Sequence, residues 1–128
     1  MKNSKIDKWT NKFPINNMPD DAVNYSMLLF YRVWLPIYNE FINYDINITS
    51  GYRDKSKNEL VGGEPNSQHL SGKAFDFTTG SQEKNKEIFN WIKSKLYFDQ
   101  LIEYNDYTFI HVSYNEYKNR KQLIHIKK

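Results

Sequence analysis

The sequence predicts an α+β fold: a single small domain with a mainly antiparallel sheet, a long N-terminal helix and a second helix packed on one face. Three observations carry this prediction. Apolar residues recur at helical spacing early in the chain and again in its middle. Short segments that alternate β-branched or aromatic residues with polar ones gather towards the C-terminal end, with turn signals between them. Helices that precede a run of strands, instead of alternating with them, favour an antiparallel sheet. A chain of 128 residues can bury one core without staples, so residues 1–128 read as one domain.

Residues 1–18 read as an irregular arm. Met18-Pro19-Asp20-Asp21 then opens the first helix, because proline suits a first turn and acids favour the positive end of the helix dipole. Val23, Met27, Phe30, Trp34, Ile37 and Phe41 keep helical spacing and carry that helix to about Phe41. Pro36 lies inside it and should kink or divide it near Arg32. "DINITS" (Asp45–Ser50) alternates as a strand does, and Gly51 marks a turn. Arg53 to Leu60 fits a short helix, and "VGGEPNS" (Val61–Ser67) a loop. "KAFDFTT" (Lys73–Thr79) is the second strand. Ser81 can cap a helix reaching about Leu96, with Ile88, Trp91, Ile92 and Lys95 or Leu96 on one side. Phe98–Tyr104, Thr108–Tyr114 and Lys121–Lys127 follow as three strands, read as consecutive hairpins.

Composition narrows the chemistry. Cysteine is absent, which removes disulfides and thiolate metal sites and leaves His and carboxylate as metal ligands. Ten Tyr, eight Phe and three Trp predict an aromatic core, although the mean hydropathy of −0.80 demands a polar surface. A net charge of +3 is too small to argue for nucleic acid, and the aromatics fall at core periods instead of interleaving with Lys and Arg on one face. The sequence has no apolar run long enough to cross a membrane. Its N-terminus, "MKNSKIDKWTNKF", lacks the apolar stretch of a signal peptide. A monomer is expected.

The stretch "NSQHLSGKAFDF" (Asn66–Phe77) holds the most informative chemistry. In a strand over 73–79, Phe75 and Phe77 take the core, and Asp76 points the other way beside Ala74. His111 leaves the core by the same alternation, opposite Ile110 and Val112. Asp99, Leu101 and Glu103 share a face of their strand, so one sheet face is expected to display Asp76, Glu103 and His111, with His69 reaching in from the loop held by Gly72. Two imidazoles and a carboxylate match a catalytic zinc in number and kind, leaving the fourth position for water. Glu103 then has the chemistry of the group that takes the water's proton, and Arg53 that of a guanidinium holding a carboxylate or a polarised carbonyl. Taken singly, each residue also has an ordinary structural reading. An imidazole is commonly structural, and a strand carboxylate or a helix-start arginine commonly sits at the surface. His125, in a lysine-rich tail, is read as non-catalytic.

"SGYR" (Ser50–Arg53), "VGGEPNSQHLSGKAFDF" (Val61–Phe77), "DQLIEY" (Asp99–Tyr104) and "FIHVSY" (Phe109–Tyr114) together resemble the zinc peptidases of bacterial peptidoglycan. That family comprises the D-alanyl-D-alanine carboxypeptidases and L-alanyl-D-glutamate endopeptidases and includes phage endolysins. Its signature S-x-H-x-x-G-x-A-x-D falls on Ser67, His69, Gly72, Ala74 and Asp76, and the resemblance spans residues 14–115. It implies one zinc ion bound by His69, Asp76 and His111, with Glu103 as general base and then acid, and Arg53 binding substrate or stabilising the transition state. It also implies that Ser67 and Gln68 line the substrate site, and that the substrate is a peptidoglycan stem peptide. Phe109 stands where the family often has Trp. A lysin of phage type, made in the cytoplasm and acting on the wall after holin-type release or as a virion component, is the expected setting. The alternative is a non-catalytic module that keeps the fold and the zinc.

Overall fold

The computed structural model describes residues 5–128, so residues 1–4 of the predicted arm lie outside the described residues. The rest of that arm is more ordered than its sequence suggests. It contains helix α1 (Lys5–Thr10) and a 3-10 turn at Ile15–Asn17. The reason is aromatic: Trp9 and Phe13 are buried, stack at 4.1 Å, and Trp9 meets Phe75 edge-on at 5.4 Å.

The long helix begins, as expected, just after Pro19. It runs through α2 (Asp20–Leu29), a π turn at Phe30–Trp34 and α3 (Leu35–Glu40). Pro36 does not divide it. Proline cannot donate to the carbonyl four residues back and its ring collides there. The chain answers by widening the turn, so that Leu35 N–H bonds to the Phe30 carbonyl five residues before it. The extra residue rotates the buried stripe, which is Ala22, Ser26, Leu29, Val33, Trp34 and Ile37, whereas Met27 is exposed.

Strands β1 (Asn47–Ser50), β2 (Ala74–Thr78), β3 (Gln100–Tyr104), β4 (Phe109–Ser113) and β5 (Gln122–Ile126) form one sheet in the order β1-β2-β4-β3-β5. Every pairing is antiparallel except β3 with β5, which is parallel. The last strand therefore does not close a hairpin on β4, as the sequence suggested. It crosses over to the free edge of β3. Helix α4 (Lys55–Leu60) is capped by the Asp54 carboxylate, which accepts from Lys57 N–H, and α5 (Gln82–Lys95) by the Ser81 hydroxyl, which accepts from Lys84 N–H.

The two faces of the sheet differ. Phe75, Phe77, Leu101, Ile110 and Val112 are fully buried on the face covered by the helices. Trp34 fills the space above them and meets Phe75 edge-on at 5.8 Å. Burial of this kind, at roughly 25 cal/mol per Å2 of apolar surface, is the main stabilising contribution to such a fold. The opposite face holds Asp76 and His111, which pair directly across β2 and β4.

Candidate metal centre

A 3-10 turn at Gln68–Ser71 delivers the first imidazole. Ser67 caps it, its hydroxyl oxygen accepting from His69 N–H at 3.2 Å. Gly72 ends it with φ +73, and a side chain there would come within 2.5 Å of the Ala22 carbonyl oxygen. Only glycine combines that left-handed backbone with so close an approach to α2. The turn therefore fixes the distance from His69 to the start of β2 and hence to Asp76.

Asp76 lies at the centre. Its Oδ1 is 3.1 Å from His69 Nε2 and 2.9 Å from His111 Nδ1, and its Oδ2 is 3.5 Å from Arg53 Nη2. His69, Asp76 and His111 are all buried, and the atoms they could offer a metal lie within 4.8 Å of one another. Burial alone would raise the Asp76 pKa, but the hydrogen bonds from His111 and His69 outweigh it and hold the carboxyl well below the usual range. Asp76 is thus an anion in a buried site, with two imidazoles facing one of its oxygens.

These residues suit a metal, and the tautomer of His69 shows why. Its Nδ1 lies 2.7 Å from the Gly51 carbonyl oxygen, which can only accept, so Nδ1 carries the hydrogen and donates. The other nitrogen, Nε2, faces the Asp76 carboxylate at 3.1 Å. A carbonyl behind a ligating imidazole is also the usual outer support of a bound zinc. His111 turns its Nδ1 to the same carboxylate oxygen at 2.9 Å. Two nitrogens and one oxygen form a zinc donor set that leaves one position for water.

Arg53 is anchored beside this centre. Its Nε donates to Ser50 Oγ at 3.0 Å and its Nη1 to Asn58 Oδ1 at 3.2 Å, while its backbone N–H donates to the His69 carbonyl. A cavity of about 650 Å3 opens over the sheet face, and Arg53, Ser67, Gln68, His69, Asp76 and His111 all line it.

Glu103 does not join them. It pairs with Ile110 and shares the face of Leu101, so it points to the core side of the sheet. There its carboxylate accepts from Tyr107 N–H at 2.9 Å and meets His125 Nδ1 at 2.9 Å. This overturns the expected place of Glu103 beside the metal ligands. It also gives His125 a structural partner. The site face of β3 presents Gln100, Ile102 and Tyr104 instead, and Tyr104 stacks on Phe109 at 4.3 Å. The error is one of phase. Leu101 and Ile102 are both apolar, so alternation alone could not say which of them faced the helices. The cavity also holds Glu64 and Arg120, neither of which the sequence reading singled out. Both lie in irregular polar segments, where no periodicity marks a facing direction.

No curated protein matches the chain. The sequence model of one family, described as Peptidase M15, matches residues 26–113, more than half of the chain. The matched stretch contains His69, Asp76 and His111, the three residues whose ligand atoms meet on the sheet, and the chain belongs to the Peptidase M15 family.

Proposed function

We propose that the chain is a zinc peptidase that hydrolyses peptidoglycan stem peptides, as a D-alanyl-D-alanine carboxypeptidase or an L-alanyl-D-glutamate endopeptidase of the phage-lysin kind. The observation that carries this reading is the meeting of His69, Asp76 and His111 at one buried point, open to a cavity of about 650 Å3. One zinc ion bound by those three residues supplies a water that ionises near neutral pH.

The protein's own residues do the rest. The Gly51 carbonyl keeps His69 in the tautomer that offers Nε2. Arg53, fixed by Ser50 and Asn58, presents its guanidinium to a substrate carboxylate or to the carbonyl under attack. Ser67 uses only an acceptor lone pair at the cap, so its hydroxyl hydrogen is free for substrate. Gln68 offers an amide at the same wall. The proton of the attacking water needs an acceptor on the cavity side. Glu103 lies on the other face, so this reading assigns the role to Glu64. Its loop is tied to the site by the Asn58 Nδ2 bond to the Glu64 carbonyl, 2.8 Å long, and Asn58 also holds Arg53. In the cell, the protein would reach the wall after holin-type release or as part of a virion.

One observation favours a second reading, a zinc-retaining binding module without hydrolysis. The site face of β3 offers Tyr104 and no carboxylate. Turbidity of purified sacculi separates the two. Wild type should clear them, Glu64→Gln should lose on the order of 100-fold in rate, as for loss of a general base, and Glu103→Gln should keep most of it. Zinc bound by wild type without clearing would establish the binding module instead.

A further inference from the structure

Asp99, just before β3, is 2% exposed and accepts four hydrogen bonds. Its Oδ1 takes Arg120 Nε at 2.8 Å and the Arg120 backbone N–H at 3.1 Å. Its Oδ2 takes Arg120 Nη2 at 2.8 Å and Gln68 Nε2 at 2.7 Å. The segment before β5 is already fastened by backbone bonds, Lys121 N–H to the Phe98 carbonyl and Gln122 N–H to the Asp99 carbonyl. The side-chain fork therefore does more than anchor it.

Two consequences follow for the cavity. Because Gln68 Nε2 is committed to Asp99, its amide cannot flip, and Oε1 is left as an acceptor that is buried and has no partner. Because Arg120 gives Nε and one edge of Nη2 to Asp99, its Nη1 hydrogens remain, on a half-exposed side chain that lines the same cavity. The wall thus presents an unused cationic donor, aimed by one buried carboxylate.

The places of Arg53 and Arg120 in the sheet set them on either side of the candidate centre. Arg53 follows β1 at one edge, Arg120 precedes β5 at the other, and β2 and β4 lie between. We infer that Arg120, aimed by Asp99, is a specificity-determining residue that binds a substrate carboxylate away from the reacting carbonyl. This rests on the peptidase reading and narrows it to acidic peptides that bridge the metal and the β5 edge.

The test uses the zinc-loaded full chain and three synthetic peptides: L-Ala-γ-D-Glu-L-Lys-D-Ala-D-Ala, the same peptide with the D-Glu α-carboxylate as carboxamide, and the same peptide with the C-terminus as carboxamide. In wild type, one amidation should lower kcat/KM on the order of tenfold, mainly through KM, as for a site left with an unpaired donor. Arg120→Ala should lose a similar factor on the free acid and no longer distinguish it from that amide, with zinc content unchanged and the melting temperature lowered by loss of the Asp99 partner. Arg120→Lys should recover part of the discrimination. The inference is overturned if Arg120→Ala discriminates as wild type does, if it slows all three peptides equally, or if wild type senses neither amidation. Failure of zinc-loaded wild type to cleave any of the three would instead refute the peptidase reading, and this inference with it.

Discussion

Gly51 and His69 are joined by a 2.7 Å bond that fixes where the imidazole hydrogen sits, and so which nitrogen can meet a metal. The same dependence on single partners governs Glu103 and Asp99. Glu103 joins a turn N–H to His125, so Glu103→Gln should leave zinc binding intact and cost about 1–2 kcal/mol of stability in urea denaturation, as for other buried bonds to a charged group. Loss of zinc from that variant would mean that Glu103 reaches the metal site after all. Asp99 titrates at about 2 in the fold, against an ordinary value of 3.8, chiefly because Arg120 donates to it while burial opposes. A depressed carboxyl contributes stability that is fully present above about 3.8 and is lost as pH falls through about 2. Thermal melts between pH 5 and 2 should therefore fall less steeply for Asp99→Asn than for wild type, as expected for removal of one shifted group. Equal slopes would mean that the Asp99–Arg120 fork carries no linkage. At this scale His69, Asp76 and His111 were legible, because each sits beside residues whose own preference is plain: Gly72 for a turn, Phe75 and Phe77 for the core, Ile110 and Val112 likewise. Glu103 was not, because its strand neighbours are apolar on both sides.

Among the elements, those with strong local signals matched expectation: the start of α2 at Pro19, the Ser81 cap of α5, and β2 with its phenylalanines inward. Those fixed by tertiary contacts did not. The N-terminal arm holds a helix because Trp9 finds partners on distant elements and Phe13 stacks on it. The π turn before Pro36 answers a local constraint, but its effect on the buried face of the helix depends on what packs there. The parallel placement of β5 depends on the β3 edge being free, which no property of residues 121–127 announces. The turn at Gly72 belongs to this scale as well. Gly72→Ala should destabilise by about 2 kcal/mol or more, since it adds a left-handed strain to a clash with the Ala22 carbonyl. Chemical denaturation gives the value directly, and a change below about 0.5 kcal/mol, the range of an unconstrained surface site, would show that the turn tolerates a side chain.

For the whole molecule, the sheet separates two tasks. One face is closed by helices and is apolar throughout its centre; the other carries a polar site that the first face holds rigid. Ligands that come from a turn and two strands are brought together only by the complete fold. Binding of a metal there would therefore be linked to folding, and on the proposed reading zinc should raise the melting temperature while a chelator lowers it. The most direct measurement is the zinc stoichiometry of the dialysed protein by native mass spectrometry, for wild type and for His69→Ala. One ion per wild-type chain and none in the variant is the predicted result. A wild-type chain that holds no zinc, or a variant that still holds one, would contradict a metal centre built from His69, Asp76 and His111.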